Sequence, residues 1–352
     1  MIRIKGVFPR RLLALGLPTA WGAMAITYKL TCPLAQQDGI GARVVTSAVF
    51  FAVGTGLILH VRQALLRELR QIRRVAGVAQ SVLLRPLPPR IDGLNIAAAQ
   101  LSADRGASVG GDLYEVIATE HGVRVVMGDV RGHGIAAVGT AAALLGSFRE
   151  AVHDEPDLDR VLRRLERAFD RHLRTRSRDD HPAAEEFATV LLLEIGEDGD
   201  VRVLNCGHPW PYLISGTRVE PLVRAEPLPP LGPFPLPSEL AAVPCGPLLP
   251  GEALALYTDG VEDARDARGR FFSLRAALVG AVHTQPCTPQ LILRTVFRAL
   301  MRHAGGTPAD DIALLIVRND RTHLSGARGR DIGGSATGAR PATSNPQPTT
   351  HS

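Results

Sequence analysis

Cysteine is scarce in this chain and shows no pattern. The four residues, Cys32, Cys206, Cys245 and Cys287, have neither metal-ligand spacing nor a pairing scheme, so a disulfide framework is excluded and they read as unpaired thiols. No His/Cys cluster is present, which argues against zinc. Strands do not alternate with helices in a way that would build a parallel βαβ sheet. Basic residues are outnumbered through the body of the chain, where residues 91 to 318 hold 23 Arg against 31 Asp/Glu, a balance of −8. That acidic body gives no support to nucleic-acid binding.

The first 90 residues reverse the balance, with 13 Lys/Arg against 2 Asp/Glu. Two runs there, Leu12 to Tyr28 and Val44 to Val61, contain no charged side chain, and their 17 and 18 residues sit at the short end of a bilayer span. Arg3, Lys5, Arg10 and Arg11 precede the pair, and Arg62, Arg67, Arg70, Arg73 and Arg74 follow it. The connecting loop holds only Lys29, Arg43 and Asp38. The positive-inside rule then predicts a two-pass anchor over residues 1–62 in the plasma (inner) membrane, with both termini cytoplasmic.

Residues 63–90 read as a juxtamembrane linker helix. Leu65, Leu69, Ile72, Ala76, Ala79 and Leu83 have the four-three spacing of a short coiled-coil seam, through which two copies could pair as a homodimer. The same stripe also suits an amphipathic helix whose arginines lie on phospholipid headgroups. Pro86, Pro88 and Pro89 stop this helix and open a domain over residues 91–318.

That domain is organised around Gly110 to Ala136, GGDLYEVIATEHGVRVVMGDVRGHGIA. Leu113 to Ala118 and Val123 to Met127 are β-rich runs separated by the turn-like Thr119 to Gly122, so a hairpin brings Asp112 and Asp129 to one end. Gly110, Gly111, Gly128, Gly132 and Gly134 permit close backbone approach around both carboxylates. Ala253 to Tyr257 is an apolar strand running into Thr258, Asp259 and Gly260. Pro308 to Asp311 is a PADD turn feeding the strand Ile312 to Arg318. Aspartates from four separate places thus lie at strand ends, the oxygen-rich donor set that Mg²⁺ or Mn²⁺ takes in octahedral geometry.

In order, GGDLYEV, GDVRGHG, FATVLLLEI, NCGHPWPYLI, PLG, LYTDGVEDARDARGRFF and ADDIALLIVR resemble the SpoIIE-type branch of the metal-dependent protein serine/threonine phosphatases, the superfamily of phosphatase 2C. The resemblance runs from Ala79 to Arg318. It implies an αββα sandwich of two antiparallel sheets flanked by helices. It also implies a site with two divalent cations, Mn²⁺ or Mg²⁺, in which Asp129 bridges both metals. Asp112 and the Val130 carbonyl would hold the second, and Asp259 and Asp310 would complete the first, with Asp311 as a supporting neighbour. Arg131 becomes a candidate contact for the substrate phosphate, and His133 a candidate group just outside the metal ligands. The implied reaction is hydrolysis of phosphoserine or phosphothreonine by a metal-activated water. The implied substrate is a regulatory phosphoprotein, an anti-sigma-factor antagonist whose dephosphorylation releases a sigma factor. Two other readings remain open: a catalytically silent membrane-anchored scaffold, and a hydrolase of small phosphorylated molecules.

The remaining elements follow from pattern. Gly134 to His153 and Asp157 to Leu173 read as helices, the second placing Leu158, Val161, Leu162, Leu165 and Phe169 on one face. Arg174 to Glu186 reads as a charged loop. Phe187 to Ile195, Val201 to Cys206 and Pro211 to Ser215 read as strands, and Ser273 to Val282 and Pro289 to His303 as helices. The proline-rich Leu222 to Pro250 reads as a loop. In the resembling family the NCGH block mainly shapes the sheet, so the resemblance assigns His208 to structure. Residues 319–352 lack apolar periodicity and read as a disordered tail.

Overall fold

The computed structural model describes residues 20–24, 26–28, 31, 40–101, 111–132, 134–177, 186–284, 287–306 and 310–321. Among them, a helix α1 (Ile40–Leu83) of 44 residues runs unbroken through the second apolar run and the linker region. Its stretch Ser47–Arg67 is long and apolar enough to cross a bilayer, and none of it is buried. Residues 20–24 and 26–28 are helical and pack beside it, with Trp21 and Tyr28 ring centroids 5.4 and 5.7 Å from that of Phe50. The start of the first apolar run and Cys32 lie outside the described residues.

The rest of the described chain is a four-layer sandwich. One sheet has the order β1 (Arg90–Ile91), β2 (Leu94–Leu101), β11 (Ile312–Asn319), β10 (Ala253–Tyr257), β7 (Tyr212–Ser215), β8 (Arg218–Pro221). The other runs β3 (Leu113–Thr119), β4 (Gly122–Val130), β5 (Ala188–Ile195), β6 (Asp200–Cys206), β9 (Val243–Pro247). All these pairings are antiparallel. Helices α2 (Ile135–Asp154) and α3 (Leu158–Ser177) cover the second sheet. α5 (Leu274–Val282) and α6 (Pro289–His303) cover the first, and a single-turn α4 (Gly260–Asp263) follows β10.

Side-chain alternation builds the layers. On β4, Val123, Val125 and Met127 face the opposite sheet, whereas Val126 and Val130 face α2 and α3; on β11, Ala313, Leu315 and Val317 face inward and Ile312, Leu314 and Ile316 face the helices. A strand covered on both faces has no polar side, which is why VLLLEI and IALLIV are nearly continuous apolar runs. α2 also passes a length-and-hydropathy test for a membrane span, but Leu144, Leu145, Phe148 and Val152 bury it against the sheet. It is a core helix.

Several elements differ from the sequence reading. α3 continues to Ser177, so the charged loop expected from Arg174 begins later; Arg176 is held at 2.7 Å by Glu186. β9 lies inside the proline-rich stretch, because its backbone pairs with β6 along an edge where proline is tolerated. β2 escapes the periodic pattern because Ala97, Ala98 and Ala99 signal helix as readily as strand. Asn319, Asp320 and Arg321, expected in the tail, belong to the folded domain. Asn319 Nδ2 donates to the Leu248 carbonyl at 2.6 Å, and Arg321 Nη2 donates to Asp92 at 2.5 Å. Leu83, the last residue of the proposed seam, packs against Val138 of α2.

Arg124 fixes α2 to the sheet. It is fully buried on β4, donates through Nε to Glu194 at 2.8 Å, and donates through its two terminal nitrogens to the carbonyls of Val152, Glu155 and Pro156. These are the carbonyls that the end of α2 leaves without helical partners. Arg124→Ala is expected to lower the unfolding free energy by about 3–5 kcal/mol, since it strands three carbonyl acceptors and leaves buried Glu194 with only the half-exposed Arg202 as a partner. Denaturant unfolding of the full chain in detergent measures this, and a loss below about 1 kcal/mol would contradict the role given to Arg124.

Candidate active site

Four chain segments converge where the two sheets part. Leu113 pairs with Gly128 across the β3–β4 hairpin, so Asp112 stands beside the Asp129 end of β4. Asp129 continues the face of Val125 and Met127 and lies at the mouth of the space between the sheets. From the other sheet, β10 delivers Thr258 and Asp259, and the start of β11 delivers Asp310 and Asp311.

Close backbone contacts lock these segments together. A Cβ on Gly111 would fall 2.0 Å from the Val130 carbonyl oxygen and 2.7 Å from Asp129 Oδ1, and one on Gly260 would fall 2.0 Å from the Asp311 carbonyl. Only glycine fits at either place. Thr258, completely buried, links the sheets: its hydroxyl donates to Asp112 Oδ2 at 3.1 Å and accepts from the Ala313 N–H at 2.8 Å. Asp129 is held through its backbone, whose N–H donates to Thr189 Oγ1 at 3.3 Å; Thr189 Oγ1 in turn lies 2.9 Å from His208 Nδ1.

His208 is 3 % exposed, and burial holds its pKa down to about 3, so it stays neutral. Asn205 clamps its backbone in both directions at 2.8 Å. The Tyr257 carbonyl of the opposite sheet favours a proton on the ring, although Nε2 makes no hydrogen bond of standard geometry among the described residues. A neutral imidazole behind Asp129 supports the strand end and does not reach the rim.

Electrostatically the site is overloaded with negative charge. Burial pushes the Asp112 carboxyl well above its usual value, and Asp129, Asp311 and Asp259 push it further, against the opposing Thr258 hydrogen bond. Burial, then Asp259, Asp310 and Asp311, raise Asp129 to about 7. Asp259 is raised by burial and by Asp310 and Asp263. Each carboxylate feels the others, so the structure brings together Asp112, Asp129, Val130, Asp259, Asp310 and Asp311. Among the described residues, no three of these side chains converge at cation-ligand spacing as they stand. The donor set, carboxylates and a backbone carbonyl with no nearby thiolate, nevertheless fits a hard divalent cation, whose charge would remove the repulsion that raises these pKa values.

Arg131 sits exposed at the rim, its guanidinium 5.4 Å from the Phe187 ring centroid and its N–H bonded to the Phe187 carbonyl at 2.9 Å. His133 lies outside the described residues. Sequence reading missed Thr258 and Thr189 as the residues that hold buried Asp112 and half-buried Asp129. Thr258 does carry a signal in hindsight, since it sits between an apolar strand and an aspartate, where a side chain continuing the inward face must satisfy a polar neighbour.

Residues 119–320, more than half of the chain, match the family model described as Stage II sporulation protein E (SpoIIE). Among solved structures, the SiaA-PP2C domain of Pseudomonas aeruginosa superposes with a TM-score of 0.56 at 19 % identity, covering 72 % of this chain and 98 % of that domain. The RsbU and RsbW domains of a Mycobacterium tuberculosis protein align at 24 % identity with a TM-score of 0.48, covering 64 % of this chain. That alignment spans only 60 % of the longer mycobacterial chain. The phosphatase domain of SpoIIE from Bacillus subtilis, with a fragment of its regulatory domain, aligns at 17 % identity and a TM-score of 0.47, covering 64 % of this chain and 63 % of that one.

The raised carboxyls set a pH dependence. Asp129 in the folded chain keeps its proton up to about pH 7, whereas the unfolded chain releases it near the ordinary carboxylate value. Between those values the native state binds more protons, so the stability of the metal-free protein is expected to fall as pH rises from about 4 to 7. Mg²⁺ or Mn²⁺ is expected to flatten that slope. Melting temperatures at stepped pH, with chelator and with cation, check this; a metal-free stability that rises across the window would contradict it.

Proposed function

This chain belongs to the SpoIIE family and carries a serine/threonine phosphatase domain of the PP2C type, and on that premise we propose that it is a membrane-anchored phosphatase acting on a regulatory phosphoprotein. The observation that carries the reading is the meeting of aspartates from both sheets at one glycine-lined mouth. Phosphatases of this superfamily use divalent metals, and we assign Mg²⁺ or Mn²⁺ here. Asp129 would bridge two cations, Asp112 with the Val130 carbonyl would hold one, and Asp259 with Asp310 the other, Asp311 lying alongside. Bound there, the cations would supply an activated water and neutralise phosphate charge.

The chain's own residues supply the remainder. Thr258 keeps Asp112 turned toward Asp129, and the Thr189 hydroxyl, backed by neutral His208, fixes the Asp129 backbone. Arg131, exposed at the rim beside the Phe187 ring, would meet a phosphate oxygen of the substrate, a role its charge and exposure support. The proposed substrate class is a phosphoserine or phosphothreonine protein of the anti-sigma-factor antagonist type, supported by the seven ordered motif blocks. The unburied Ser47–Arg67 stretch supports a plasma-membrane location with the catalytic domain on the arginine-rich, cytoplasmic side. The linker half of α1 supports pairing of two copies as a further proposal.

The test is hydrolysis of a chromogenic phosphomonoester by the full chain in detergent, with Mn²⁺, with Mg²⁺ and with chelator, beside Asp129→Ala. Turnover is expected only with cation and is expected to fall to background in the variant, whose unfolding transition is retained. Unchanged turnover in Asp129→Ala would overturn the assignment. A phosphoserine peptide is expected to be hydrolysed ahead of nucleotide and sugar phosphates, and the reverse preference would identify a small-molecule hydrolase.

A further inference from the structure

We propose that the cleft between α2 and α3 is a docking groove for an acidic segment of the phosphoprotein substrate. The inference rests on the phosphatase reading and adds how the substrate is chosen.

Arg160, Arg164, Arg167, Arg171 and Arg174 follow one another at four-three spacing, which places them along one side of α3. This is a local concentration of positive charge on a domain that is otherwise acidic. The first two are committed: Arg160 faces Asp157 at 3.8 Å, and Arg164 bonds Glu155 at 2.8 Å with Asp154 at 3.5 Å. Arg167 and Arg171 are exposed and, among the described residues, ion-pair with nothing. Both line a cleft of about 690 Å³. Its other wall, on α2, is formed by Ala142, Ala143, Gly146 and Ser147, which leave room for an extended backbone; the carboxylates that also line it, Glu150 and Glu155, lie at the end where Glu155 already holds Arg164, away from Arg171.

The groove also points the right way. α2 begins after the short connection that leaves β4 just past Asp129 and carries Arg131, and the antiparallel α3 ends beside that beginning. The His172 ring lies 3.6 Å from where a Gly139 Cβ would be, and Arg176 pairs with Glu186, next to the Phe187 that carries Arg131. From Arg167 to Arg174 the stripe advances about 10 Å toward the catalytic rim. A segment whose carboxylates lie on Arg167 and Arg171 can therefore extend its phosphorylated residue to the aspartates.

An anionic membrane would also attract arginines, but the geometry favours the peptide. From Arg67, at the end of the apolar stretch, α1 runs 16 residues to Leu83 before it meets α2. That rod of about 24 Å holds the groove away from the headgroups.

The experiment compares the full-length protein in detergent with the Arg167→Glu/Arg171→Glu double variant and with Arg167→Lys/Arg171→Lys. The probes are two phosphoserine peptides differing only in flanking Asp or Asn, and a chromogenic phosphomonoester. The charge-reversed variant is expected to lose about tenfold in kcat/KM for the acidic peptide, through KM and at low salt. The Asn peptide and the phosphomonoester are expected to be unaffected, and the Lys variant to retain most of the preference. Equal losses on both peptides, or none, would overturn the proposal. Loss of binding to phosphatidylserine vesicles with peptide preference intact would identify the stripe as a membrane contact instead. Fluorescence anisotropy of the acidic peptide separates the two readings: if the wild-type protein hydrolyses nothing, the phosphatase reading fails, while charge-dependent peptide binding still decides the groove.

Discussion

Asp112 is a carboxylate with 2 % exposure, placed among other carboxylates at the mouth of a two-sheet sandwich. Taking an ionised carboxylate out of water is costly, and placing further negative charge beside it raises the cost, so such a cluster persists only where the scaffold holds it against its own repulsion. Burial and the neighbouring carboxylates raise Asp112 and Asp129, so that taking up a proton lowers that cost in the metal-free protein. A divalent cation lowers it by a different route, leaving every carboxylate ionised and turned inward.

The scaffold is arranged to meet that demand. An apolar layer between the sheets backs both strand ends, Thr258 crosses from one sheet to the Asp112 of the other, and the Thr189–His208 pair backs Asp129. On the outer face, Arg124 ties the end of α2 to β4, the strand that carries Asp129. Arg149 near the middle of α2 bonds Glu115 of β3 and the Leu83 carbonyl at the end of α1. The helix that contains the long apolar stretch Ser47–Arg67 is therefore in direct contact with the helix that starts beside the candidate site.

Much of this was legible in the sequence where local pattern and global packing agree. The β3–β4 hairpin shows in its two β-rich runs and short turn, α6 shows in Thr288-Pro289 followed by an apolar stripe, Asp112, Asp129 and Asp259 show as aspartates at strand ends next to glycine, and Asp310 shows in the turn that feeds β11. What stayed hidden lacks a local signature. β2 is three alanines in a row, β9 is a proline-rich edge held only by its partner, and Arg321 is ordered by Asp92, which lies 229 residues away in the chain. Thr258, Thr189 and His208 act through neighbours on other strands, so their spacing in the chain carries no trace of the contact. The assignment of His208 to structure was reachable from the resemblance, in which the block at the end of β6 shapes the sheet, and the residue is buried there with Asn205 clamping its backbone.

The central claim is that burial and mutual repulsion protonate the aspartates and that a cation relieves them. Calorimetric titration of Mg²⁺ or Mn²⁺ into the metal-free chain near pH 6.5, repeated in buffers of different ionisation enthalpy, counts the protons released on binding. The account predicts release of about one proton or more per protein, decreasing as pH rises above 7. Cation binding at this site with no proton release would show that the carboxylates were already ionised and would contradict it.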